Sequence, residues 1–439
     1  FQGAFVVSGG TAQFLSGSSL TLQNGLSLSG GSASFASAAG TTVSGQIVVP
    51  TGATLGTLAG GSLTAAFAGG PSILATGGTI DVDAGGTATV QNGAAAQTTP
   101  SVFDVDGAFN AIGGSLVLDV GATLSGGGTY GLPVVANAVV TAPSGEAPTF
   151  ASTFDVSASG GLDVAGSPTF AGALTCAGAF GVQGGGVATA SAAAPGATFN
   201  GATADVDGTL ATTNGLVVQG TTSFDGVGQI NGATTIQSGT TTVVAASALQ
   251  FGGAFTIDSG ATATYASATG VSGAFVANGA AIVSTGATLT LGGAAPAGVV
   301  SGGSLDVDGT LAAANGLSFQ GVSTLGGDGT VAAPTTIAGG TTTIVALSSL
   351  DFPVGAPLTV DPGATLDVFA AVTASDATTV AGTLAIEAGA VFSANGPAPS
   401  CAVNGGTLDL DGTLATTAGV ASNGMSTFSG TGGTVVGSA

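Results

Sequence analysis

The chain has 439 residues, with 22 Asp plus Glu, no Lys, Arg or His, and a formal net charge of −22. Without cations to neutralise phosphates there is no electrostatic basis for nucleic-acid binding, and none for docking on an anionic membrane surface. Apolar residues at 44% are too many for an acidic disordered chain, and the 81 Gly show no three-residue period, which excludes collagen.

A core can form, but from small side chains in thin layers. At this charge the natural partners are metal cations, cationic surfaces, or copies of the chain with counterions between them. No run of eighteen or more apolar residues occurs, so no helix is expected to span a bilayer. The lack of Lys and Arg removes trypsin-like cleavage sites, which suits an extracellular setting. The chain starts at Phe1 without Met or a charged leader, so any signal peptide is expected to have been removed.

From Phe1 to about Val102 the texture is Ser19-Leu20-Thr21-Leu22, Asn24-Gly25, then Gly31-Ser32-Ala33-Ser34-Phe35. Alternation of apolar residues with Ser or Thr predicts short strands with one buried face. Of the twelve Asn, ten precede Gly, Asn92 among them, and Asn-Gly supplies the positive φ of tight turns.

At Val102 a motif begins that the chain then repeats. VFDVDGAFNAIGG is followed by ADVDGTLATTNGL from Ala204, SLDVDGTLAAANGL from Ser304 and TLDLDGTLATTAGV from Thr407. The Asp-x-Asp-Gly cores start at Asp104, Asp205, Asp306 and Asp409, so successive copies lie 101, 101 and 103 residues apart. Thr240 to Val244 likewise recurs as Thr341 to Val345. A long repeat made of smaller similar units is the mark of a solenoid. Five coils of about 20 residues fit the spacing, a length that suits one turn of a three-faced β-helix. The expectation is an all-β fold: one elongated parallel β-solenoid over residues 1–439. Its blocks are approximately 1–103, 104–204, 205–305, 306–408 and a partial 409–439. Gly430 to Val436 falls where Gly327 to Val331 falls one block earlier. The chain is thus expected either to be a fragment of a longer protein or to meet the next subunit at its ends.

Alternation puts Leu305 and Val307 on one face of a strand and Asp306 and Asp308 on the other. Asp104 and Asp106, Asp205 and Asp207, and Asp409 and Asp411 follow the same pattern. Two carboxylates about 7 Å apart at i and i+2 could share Ca²⁺ with carbonyls and water. These eight Asp are the candidate metal ligands, set against the plainer reading of solvated Asp beside a turn. The glycine-rich calcium nonapeptide array of RTX proteins is absent. Asp81 and Asp83, followed by Ala84, form a related pair.

No catalytic residue is expected, since without His, Lys or Arg the usual bases, amines and oxyanion clamps are missing. Pectin-degrading β-helix lyases resemble the chain in architecture but rely on basic residues. The Thr clusters at 98–99, 221–222, 240–242 and 341–343 raise an ice-binding surface, which needs Thr-x-Thr in consecutive coils; read along the sequence they are too sparse. Cys176 and Cys401 occupy non-equivalent repeat positions and are expected to be buried and unbridged.

Segments such as GGTLDLDGTLATTAGV, Gly405 to Val420, resemble the β-solenoid stalks of secreted adhesins and autotransporter passenger regions. Those stalks usually carry some Lys or Arg, and no adhesive head or membrane barrel is present here. The resemblance implies an extracellular scaffold at the cell surface. The expected role is a structural subunit of an extracellular filament or appendage, self-associating end to end or laterally. An adhesin or polysaccharide-binding stalk is the alternative, and an ice-binding solenoid a further one. No cofactor is expected beyond the calcium considered above.

Overall fold

Four-residue stretches that alternate apolar with Ser, Thr or Asp can bury one face only, and glycine-rich corners let the next stretch turn through the same core. The computed structural model describes residues 1–15, 17, 19–91 and 95–437, with only the backbone at Thr98. Asn92 therefore lies outside the described residues, as does the side chain of Thr98. Among them the chain is all β, 63 short strands and no helix. Strand n pairs with strand n+3 in parallel, so each coil contributes one strand to each of three sheets. This is a three-faced β-solenoid of about 20 turns. The faces are numbered here in the order the chain visits them.

The chain divides into two units, Phe1–Leu216 and Val217–Ala439. In the first, Leu116 pairs with Val134, 18 residues on, whereas Ile47 pairs with Ile73, 26 residues on. The coil length therefore varies while the face pattern holds. The strands that carry Asp104 and Asp205, Ser101–Val105 and Thr203–Val206, both lie on the second face and are five pairing steps apart. In the second unit the strands of Asp306 and Asp409, Ser304–Val307 and Thr407–Leu410, are also five steps apart on the second face. The 101-residue period is five coils.

The core of the first unit contains an aromatic column on the third face. Tyr130 stacks on Phe150 at 5.0 Å, Phe150 on Phe170 at 5.1 Å, and Phe154 meets both edge-on. The buried Tyr130 hydroxyl donates to the Phe103 carbonyl at 2.8 Å, which meets the need of a buried phenol for a partner. Later coils of the second unit fill the same space mainly with aliphatic side chains, among them Leu350, Val372 and Leu414, alongside Phe352 and Phe392.

Candidate functional site: the Asp-x-Asp-Gly corner

Each motif lies where a second-face strand turns toward the third face. The residues expected inside are inside: Phe103, Val105, Ala204, Val206, Leu305 and Val307 are all buried, and so is Leu408, while Leu410 is half-buried. The Asp residues project outward, and several reach the coil that follows. The first Asp of the motif accepts from a hydroxyl one rung on: Ser125 Oγ donates to Asp104 at 3.1 Å, and Ser429 Oγ to Asp409 at 2.9 Å. The second Asp accepts from backbone. Gly127 N–H donates to Asp106 at 2.9 Å, Asp328 N–H to Asp308 at 3.2 Å, and Thr431 N–H to Asp411 at 2.5 Å. Asp205, in register with Gly181, and Asp207 take the same place on the second face.

The glycine has its own reason. A Cβ at Gly107, Gly208, Gly309 or Gly412 would stand 2.3 Å from a carbonyl oxygen of the preceding coil. Backbone passes over backbone there with no room for a side chain. Sequence reasoning tied glycine to turn conformation, and that holds for Gly215 at φ 89° and Gly316 at φ 89°. At the motif the requirement is instead the closeness of successive coils.

Where the acceptor loses its donor, the electrostatics change. Asp306 lies in register with Gly326, which has no hydroxyl to offer. Partial burial raises the Asp306 carboxyl above its usual range, and the charges of Asp308 and Asp328 add to it. Asp411 is shifted the other way, by the Thr431 N–H and hydroxyl that donate to it. Asp81, directly in register with Asp104, is raised by burial and then by the charges of Asp83, Asp104 and Asp106.

The structure therefore keeps the eight candidate ligands as pairs at equivalent corners. Among the described residues no group of three or more His, Cys, Asp or Glu is placed to hold a metal ion. Asp163 and Asp205 share an open groove of about 210 Å³ floored by Gly161 and Ala179, and Gln183 Nε2 donates to both oxygens of Asp163. Cys176 and Cys401 are free and buried, and burial pushes each thiol up to about 11, which leaves them unreactive at neutral pH.

The threonines hold one surprise. On the second face Thr341, Thr365, Thr383, Thr407 and Thr427 are in register on five consecutive coils. Two residues along each strand stand Thr343, Asp367, Ala385, Asp409 and Ser429. Threonine thus recurs on consecutive coils as a column one residue wide, while Thr-x-Thr occurs on only one of these rungs. A second column, Thr129, Thr149, Thr169 and Thr189, runs along the third face of the first unit. Its 20-residue spacing is visible in the sequence and was the signal to follow. No family model matches the chain, and no curated protein matches it.

Proposed function

We propose that the chain is a non-catalytic structural subunit of an extracellular filament or cell-surface appendage. The observation that supports this most is the use of the motif: in three of its four copies a carboxylate accepts a hydrogen bond from the next coil, and its glycine lets coils close on one another. The repeated chemistry is spent on cohesion between rungs. Coil-on-coil backbone bonding and a continuous apolar core supply mechanical continuity, and the lack of Lys and Arg limits proteolysis. Electron microscopy of the purified chain tests the reading. Polymers with an axial repeat matching the subunit are expected; a monodisperse monomer that binds a saturable surface ligand overturns it in favour of an adhesin.

The five-threonine column favours a second reading, binding to a flat ordered surface such as ice or a polysaccharide. Hydroxyls and methyls repeat there once per coil, about 4.8 Å apart. Thermal hysteresis that disappears in Thr383→Tyr, a bulky projection in mid-column, is the result this reading needs.

A further inference from the structure

The second-to-third corner of the second unit is not acidic throughout. Over successive rungs it presents Asp308, then Asp328, then Val345 with Leu347, then Phe369, then Glu387, then Asp411. Val345 is 39% exposed, Phe369 45% and Leu347 97%. An apolar ridge two rungs long thus stands between carboxylates on either side.

Leu347 is unusual in a second way. Among the described residues the only non-glycine positions with positive φ are Ala246 and Leu347, both at 71°. The two are equivalent positions in successive repeat blocks. The left-handed conformation is costly for an L side chain, and among the described residues glycine occupies it everywhere but at these two positions. Leu347 bears that cost without burying its side chain in the core. Such an outlier points toward function, and an exposed apolar patch rimmed by charge points toward a partner.

We propose that this corner docks a basic amphipathic protein segment, with apolar side chains against Val345, Leu347 and Phe369 and Lys or Arg against the flanking carboxylates. Charge selects the occupant. The chain has no Lys, Arg or His, so a second copy would bring carboxylates to carboxylates. The span from the Asp308 rung to the Asp411 rung is five coil steps, about 24 Å, which an extended segment of about seven residues covers. This inference does not depend on the filament reading, because the corner lies along the side of the coils.

The test uses the full chain and a fluorescent synthetic peptide, Lys-Lys-Ser-Leu-Leu-Ser-Lys-Lys, beside a control with both leucines replaced by serine. Wild type is expected to bind the leucine peptide about tenfold more tightly than the control, the worth of burying one leucine-sized side chain. Leu347→Gly and Phe369→Ser are each expected to erase most of that preference while still binding both peptides weakly through charge. Leu347→Gly places at that φ the residue the chain uses elsewhere, so an unchanged or higher Tm accompanies the loss. Equal binding of the two peptides by wild type, or a preference retained in both variants, overturns the proposal. Concentration-dependent self-association of wild type that Leu347→Gly abolishes also overturns it, by assigning the ridge to a second copy.

Discussion

The third face is built in two ways. In the first unit the strands Thr129–Tyr130, Thr149–Phe150 and Thr169–Phe170 are two residues long, and stacked rings fill the space behind them. In the second unit the strands Ser349–Phe352, Ala371–Ala374, Val391–Ala394 and Thr413–Thr416 are four residues long, backed mainly by aliphatic side chains. A short ladder supplies few hydrogen bonds per rung, so side-chain packing must hold the coil in place. A longer ladder relaxes that demand. One fold thus balances backbone bonding against ring burial rung by rung, as expected where each coil contacts only its neighbours.

The sharpest way to break this comparison is to remove a ring. Phe150→Ala is expected to cost about 3–5 kcal/mol in urea unfolding, because Phe150 contacts Tyr130, Phe154 and Phe170 at once. Val372→Ala, at a buried third-face position of the second unit, is expected to cost about 2 kcal/mol or less. Equal losses would show that the two kinds of rung are held alike.

A smaller effect separates the motif corners. Ser125→Ala removes the donor to Asp104 and is expected to lower stability by about 1 kcal/mol. Asp306 faces Gly326 and has no hydroxyl to lose. Its raised pKa means that the folded state binds the proton more tightly than the unfolded chain does. Its contribution to stability is therefore present in acid and is lost as pH rises through the folded pKa. Asp411, lowered, has the opposite sign: its contribution fades as pH falls through the folded pKa. Asp306→Asn is thus expected to raise stability slightly at pH 7, by no more than about 0.5 kcal/mol, and to lose that advantage in acid. A fall at pH 7 would mean that the Asp306 carboxylate has a favourable partner.

The smallest expected effect is that of a chelator. With the second Asp of three motifs accepting backbone N–H groups of the next coil, EDTA is expected to leave the melting temperature unchanged. A drop that added Ca²⁺ restores would show these pairs acting as ligands.

Much of this was legible because the motif combines two periods. Alternation in Leu305-Asp306-Val307-Asp308 fixes which side chains enter the core, and the 101-residue recurrence fixes whole coils between copies. The threonine column was hidden because coil length varies. Its members lie 24, 18, 24 and 20 residues apart, so no constant period reveals them. The role of the corner glycines is hidden for a different reason. Their constraint comes from a carbonyl one coil away, and local turn propensity carries no trace of it. The ridge at Leu347 was equally silent, since its exposure and backbone angle set that leucine apart from the buried ones and neither shows in the local sequence.

The carboxylates that three of the motifs extend to the following rung limit how such a chain can change length. Inserting or deleting one coil would set a motif Asp against a rung from a different place in the block. Gaining or losing five coils together keeps each motif against the equivalent rung of a block. A gene of this kind can therefore lengthen its product by whole blocks of about a hundred codons while keeping each corner beside the rung that follows it in every block.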